Sequence, residues 1–305
     1  MNTINHKIDL PGLFRSLTSD DLVDRLLKIA AEEDLDGNGD ITSKAMYSSE
    51  YVGQGRIIAR QEGIVSGLAA WPNVCDAFQV KINADIYLND GNIVSAGDTV
   101  ATVTGSMREL LTVERTFLNL LGRLSGIATL TGRFVDAVKS TDVQIVDTRK
   151  TTPGLRRLEK YAVACGGGVN HRLGLYDAAL IKDNHLAGLS PKQAADKLRK
   201  ALAYCRSGET VRFVQVEVDN LEQLDAVFAL GKDGPDIILL DNMPPDILQE
   251  AVRRRDAMQP GILLEASGGI TLDTVRTVAE TGVDRISVGA ITHSAVQLDF
   301  GLDID

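Results

Sequence analysis

The chain has 305 residues, 44% hydrophobic and 24% charged. That is ordinary globular usage and excludes collagen-like and disordered classes. Its 42 acids against 32 bases leave a net charge of −10, and aromatics make up only 5%. Broad phosphate-backbone binding and base-stacking platforms are therefore not expected, and no nucleic acid is expected as a partner.

In chain order, Met1–Gly12 is polar and broken by Pro11, so it does not read as a secretory signal. Residues 13–33 carry helical apolar spacing (Leu13, Leu17, Leu22, Leu26, Leu27, Ile29, Ala30), with Thr18 or Ser19 as the expected cap of the second half. Asp34-Leu-Asp-Gly-Asn-Gly-Asp resembles the start of a calcium loop, but position 12 must supply a bidentate acid and is Ala45. A turn-rich loop is expected there instead. Residues 50–105 alternate short apolar runs with Gly, Asn and Asp turns and read as mainly β, and residues 109–138 return to helical spacing.

From residue 143 one pattern recurs: a short apolar run ends in polar or Gly residues and a helical stretch follows. The runs begin at Val143, Ala178, Val214, Ile237, Ile262 and Arg285, with helices expected at 221–231, 245–258 and 271–281. Strands alternating with helices imply a parallel sheet, closed or nearly closed into an α/β barrel, or else open and doubly wound. Arg149, Lys150, Lys182, Glu217, Asp241, Ser267 and Gly289 sit at the ends of these runs. In a parallel sheet those ends share one rim, where barrel enzymes place their active sites. Residues 147–185 hold seven Lys or Arg against four acids, which suits a small anionic substrate. Arg149, Arg172 and Lys150 form a candidate carboxylate or phosphate clamp. Ser267-Gly268-Gly269 and Gly289 form a candidate phosphate site, with a helix N-terminus adding positive potential. Glu217 and Asp241 could hold Mg²⁺ with substrate phosphates or meet sugar hydroxyls. His171, His185 and His293 lack zinc-site spacing, so anion contact or a helix-end hydrogen bond is expected of them. The three cysteines, Cys75, Cys165 and Cys205, suggest no disulfide framework, and with no apolar stretch long enough to span a membrane the expected location is cytoplasmic.

Longer stretches carry a signature. They are Asp147-Thr-Arg-Lys-Thr-Thr-Pro-Gly-Leu-Arg, Glu159-Lys-Tyr-Ala-Val, Gly166-Gly-Gly-Val-Asn-His-Arg and Leu180-Ile-Lys-Asp-Asn-His. With them go Glu114-Arg-Thr-Phe-Leu-Asn, Val216-Glu-Val-Asp, Leu239-Leu-Asp-Asn-Met, Glu265-Ala-Ser-Gly-Gly-Ile and Ile286-Ser-Val-Gly-Ala-Ile-Thr-His. The chain resembles the quinolinate phosphoribosyltransferases from about residue 15 to its end. The resemblance implies transfer of phosphoribose from phosphoribosyl pyrophosphate to quinolinate, with Mg²⁺ and loss of CO₂, in de novo NAD biosynthesis. It implies an N-terminal α/β sandwich domain followed by an incomplete α/β barrel. The expected domains are 1–117, joined by 293–305, and 118–292. It implies a homodimer in which Arg115 reaches the partner's site. Arg149, Lys150, His171, Arg172 and Lys182 would hold the carboxylates and pyrophosphate, and Lys150 and Lys182, with Glu217 and Asp241, would be catalytic. Glu217 and Asp241 would also lie near the ribose and metal. Ser267, Gly268, Gly289 and His293 would take the 5′-phosphate. A related phosphoribosyl transfer, a Schiff-base lyase using Lys150 or Lys182, and a non-enzymatic anion sensor are the alternatives.

Overall fold

The computed structural model describes residues 9–208 and 210–304; the first eight residues of the segment read for a signal lie outside them. The chain divides into two compact units. The first comprises the described residues up to Gly132, Thr151–Gly167 and the residues from Ile291 on; the second comprises Arg133–Lys150 and Gly168–Ala290. The boundary expected at 117/118 falls inside a continuous helix, Met107–Ala137.

In the first unit the opening apolar stretch forms two helices, Leu10–Leu17 and Leu22–Leu35. The expected cap is corrected. Thr18 closes the first helix, its hydroxyl donating to Phe14 O at 2.9 Å, and the second begins where Asp20 accepts the Leu22 N–H at 3.2 Å. The turn-rich loop is present, with Asp36, Gly37 and Gly39 all at positive φ. It ends where Asp40 caps a short helix, Ile41–Met46, that the spacing did not indicate.

The strands β1 (Val52–Ala59), β2 (Gly63–Ile64), β3 (Asn83–Ile86), β4 (Ile93–Val94) and β5 (Thr99–Ser106) fill the stretch expected to be β. A helix, Trp71–Phe78, interrupts it, with a proline in its first turn. The main sheet is antiparallel and runs from the C-terminal strand Phe300–Ile304 through β1 and β5 to β3. Ile57, Val103 and Leu302 of this sheet meet Leu110, Val113 and Phe117 of the long helix, and Trp71 packs edge-on against Phe117 at 4.7 Å. Two polar clusters bind the unit's separate segments. Asp90 accepts the N–H groups of Gly67, Leu68 and Ala69 and the Tyr161 hydroxyl; burial outweighs these bonds and holds its carboxyl above the usual range. Arg123 of the long helix meets the fully buried Glu159 at 2.8 Å and also donates to the carbonyls of Thr292 and Ala295.

In the second unit the apolar runs become β6 (Gln144–Val146), β7 (Ala179–Ile181), β8 (Val214–Val218), β9 (Ile237–Asp241), β10 (Leu263–Ser267) and β11 (Arg285–Ser287). They form a six-stranded sheet, order β6-β11-β10-β9-β8-β7, in which every pairing is parallel. Ile-Ile-Leu-Leu in β9 is buried along its length, as expected of a strand covered on both faces. β6 and β7 are the two edges and do not pair with each other among the described residues. The barrel-like sheet is thus incomplete, as the resemblance implies. Helices Leu221–Phe228, Pro245–Met258 and Val275–Ala279 fall within the three expected spans, and Pro191–Arg206 adds one the spacing did not single out.

Candidate active site

Because all six strands of the second unit run the same way, their carboxyl ends lie along one edge. Arg149 and Lys150 follow β6, Gly289 follows β11, Ser267 ends β10, Asp241 ends β9, Glu217 lies near the end of β8, and Lys182 follows β7. These residues are far apart in sequence and neighbours here. Asp241 and Ser267 are register partners, and Lys182 Nζ donates to Glu217 Oε2 at 2.5 Å. Glu217 is almost buried and Lys182 about half exposed, so the pair offers a positive head toward solvent over a fixed acid. The short helix after Lys182 is tied by His185, whose Nδ1 accepts the Lys182 N–H at 2.8 Å. His185 thus makes the helix-end hydrogen bond that was one of its two expected roles.

Strand alternation puts Gln215 with Glu217, Glu265 with Ser267, and Arg285 with Ser287 on one face of the sheet. Below the rim that face carries enclosed polar side chains beside Leu239. Gln215 and Glu265 are fully buried, and Arg285 lies 3.2 Å from Glu265 Oε2. Burial pushes the Glu265 carboxyl up, but His171, Arg285 and Gln215 more than offset it and hold it below the usual carboxylate range.

His171 and Arg172 sit on the stretch between the helix Arg156–Cys165 and β7, pinned by Asp147. One Asp147 oxygen accepts the His171 N–H at 2.9 Å and the other accepts the Asn170 amide at 2.8 Å. Arg172 is buried and donates to Ala178 O at 3.3 Å. The loop closes on Asp177, which accepts the N–H groups of Leu173 and Gly174 and pairs with Arg212 at 3.1 Å. Arg149 and Lys150 are exposed.

Asn242 adopts a left-handed conformation (φ 53°), donates its N–H to Ser267 O at 2.8 Å and its amide to Asp241 Oδ2 at 2.7 Å. Gly268, at φ +100°, lies so close that a Cβ would sit 2.1 Å from Asn242 Oδ1. Only glycine fits there. Beside it opens a cavity of about 280 Å³, lined by Ser267, Gly268, Gly269, Ile270 and Thr274 among others. The helix beyond begins only at Val275 and has 5 residues. Its N-cap residue, Thr274, is itself among the residues that line the cavity.

Arg115 and His293 belong to the first unit. Arg115 lies on the long helix, its side chain two-thirds exposed and 3.5 Å from Glu114. His293 ends the short helix Ala290–His293, is exposed, and shares a 2.7 Å hydrogen bond with Ser294.

Among the described residues no group of three or more His, Cys, Asp or Glu could hold a metal by itself. Glu217 and Asp241 are hard oxygen donors at neighbouring strand ends. That set fits Mg²⁺, which takes one or two carboxylates and fills its remaining positions with water and substrate phosphates. The residues missed by sequence reading are Gln215, Glu265, Arg285, Asp147 and Asn242. The first two had a signal: each stands two positions before a recognised strand-end residue, so alternation points it to the same face.

The quinolinate phosphoribosyl transferase C-terminal domain matches residues 127–303 and the N-terminal domain of the same enzyme matches residues 40–125. The nicotinate-nucleotide pyrophosphorylase [carboxylating] of Mycobacterium leprae is 46% identical over 280 residues, 91% of this chain and 95% of that protein. The probable enzyme of that name from Bacillus subtilis is 41% identical over 88% of this chain and 89% of its own. The solved nicotinate-nucleotide pyrophosphorylase of Francisella tularensis superposes with a TM-score of 0.82 at 35% identity, over 93% of this chain and 96% of that one.

Proposed function

The chain belongs to the quinolinate phosphoribosyl transferase family, and from that premise we infer its reaction and the work of its residues. It transfers phosphoribose from phosphoribosyl pyrophosphate to quinolinate with loss of CO₂, giving nicotinate mononucleotide and pyrophosphate, a step of NAD biosynthesis. The observation that carries the reading is the rim itself: cations from β6, β7 and the 171–172 loop, acids on β8 and β9, and a Gly-lined cavity after β10, all at one edge of a parallel sheet.

The chemistry suits this set. As the ribose C1–O bond to pyrophosphate breaks, positive charge builds on the sugar and negative charge on the leaving group. Fixed carboxylates at Glu217 and Asp241 stabilise the first, and Lys150 and Lys182 the second. Arg149 and Arg172, the latter on the loop that His171 shares, belong to the pocket that keeps the quinolinate dicarboxylate in register, a task for paired forks. Ser267, Gly268 and Gly289 take the 5′-phosphate. Mg²⁺, held by Glu217 and Asp241 through the substrate, would neutralise pyrophosphate charge. Once the ring nitrogen bonds to C1 it becomes a pyridinium. The carboxylate beside it then leaves as CO₂, its electron pair settles against that cation, and the ring carbon takes up a proton. The exposed Arg115 is proposed to serve a second copy in a homodimer. No helix among the described residues is long and apolar enough to cross a membrane.

The test is one assay with quinolinate, phosphoribosyl pyrophosphate and Mg²⁺. Nicotinate mononucleotide and CO₂ should appear together, and nicotinate should not replace quinolinate. Turnover of nicotinate, or a borohydride-stable adduct on lysine, would reject the reading.

A further inference from the structure

We propose that Gln215 is a positioning residue for this reaction, a role that rests on the reaction assigned above: it holds His171 as the neutral Nε2–H tautomer and so sets the direction in which Arg172 leaves its loop. His171 Nδ1 lies 2.7 Å from the Arg172 backbone nitrogen. A backbone N–H only donates, so Nδ1 carries a lone pair and the ring proton sits on Nε2. Nε2 in turn donates to Gln215 Oε1 at 2.7 Å. The same tautomer settles the Gln215 amide, because a flipped amide would set N–H against N–H. The ring is 5% exposed and lies edge-on to Phe213 at 5.2 Å. Neither nitrogen is left for a substrate; His171 acts through Arg172.

The charged groups facing the ring are few. Glu265 Oε1 is 3.4 Å from Nε2, and Arg285 balances Glu265 from its other oxygen while lying over the Phe213 ring at 5.7 Å. Asp147 takes the His171 backbone N–H, and Arg172 follows in the chain. Without the Gln215 oxygen, the nearest acceptor for Nε2–H is the Glu265 carboxylate. The ring must tilt toward it, and Nδ1 is then no longer fixed as the acceptor. A proton on Nδ1 would oppose the Arg172 N–H, turn the 171–172 peptide and release the guanidinium from its fixed direction.

The test uses the full chain with ¹⁵N-labelled histidine. Its four histidines make the ring nitrogens countable. In the wild type, one ring, identified by its loss in His171→Asn, should show a protonated Nε2 and a bare Nδ1. In Gln215→Met, which matches length but removes the acceptor, that ring should lose this signature. The KM for quinolinate should rise about tenfold while that for phosphoribosyl pyrophosphate stays within about twofold. A wild-type His171 that carries its proton on Nδ1 overturns the proposal, and needs no variant to fold. So does a folded Gln215→Met whose quinolinate KM is unchanged, or whose two KM values rise together as a general loosening predicts. A wild type with the expected ring signature but no turnover of quinolinate overturns the reaction, and with it the positioning role, while leaving the tautomer itself established.

Discussion

Gly268→Ala isolates one atom in the proposed phosphate cavity. The added Cβ would lie 2.1 Å from Asn242 Oδ1, 2.6 Å from its Cγ and 2.9 Å from its backbone nitrogen, at a φ of +100° that L side chains rarely adopt. The backbone term alone costs about 1–3 kcal/mol. Displacing the Asn242 side chain removes its 2.7 Å bond to Asp241, a charge-assisted contact of about 1.5–3 kcal/mol. The fold can lower this bill by letting the 268–270 loop shift, so the damage falls on the cavity rather than on global stability. The KM for phosphoribosyl pyrophosphate should rise at least tenfold, with the quinolinate KM changed far less and a thermal midpoint lowered by only a few degrees. Steady-state kinetics with each substrate varied in turn, beside a melting curve, reads all three. Gly268→Ala with Asn242→Gly removes the side-chain clash but not the φ strain, so it should recover part of the loss. Wild-type kinetics in Gly268→Ala would refute both the geometry and the phosphate assignment.

Arg123→Met strands the Glu159 carboxylate, which is 0% exposed, and should lower unfolding free energy by about 3–5 kcal/mol in a urea titration; a loss under 1 kcal/mol would reject that network as a brace. The Cys75 thiol is pushed up to about 11 and the Cys165 thiol to about 12, in each case by burial first and then by a nearby aspartate, Asp76 and Asp90 respectively. Iodoacetamide at pH 8 should therefore modify the partly exposed Cys205 first, with mass spectrometry finding the other two only after unfolding. Glu265 is held below its ordinary pKa, so its contribution is full above the unfolded value of about 4.3 and is lost as pH falls through the folded one. Glu265→Gln should flatten the stability–pH curve below about pH 4.5, and an unchanged slope there would mean the carboxylate is not ionised in the native state.

Much of this protein could be read from the chain alone. Runs such as Ile237-Ile-Leu-Leu, too short for helices and followed each time by helical spacing, already specify strand–helix units. Parallel pairing follows, because such connections return a strand in the same direction. Once the strands are parallel, polar residues at their ends must share an edge, which is why Arg149, Lys182, Glu217, Asp241 and Ser267 could be grouped before any coordinates. The breaks were harder. The turn at Thr18–Asp21 divides a stretch whose apolar spacing continues across it, and capping depends on which hydroxyl or carboxylate the turned backbone brings near. Tertiary structure decided what no local pattern encodes. It took Thr151–Gly167 and the chain end into the first unit through Arg123 and Glu159, partners separated by 36 residues. It also decided that His171 spends both ring nitrogens inside the protein. Periodicity reports which face a side chain is on, while hydrogen bonds between distant strands depend on register and depth, and these exist only once the sheet is assembled.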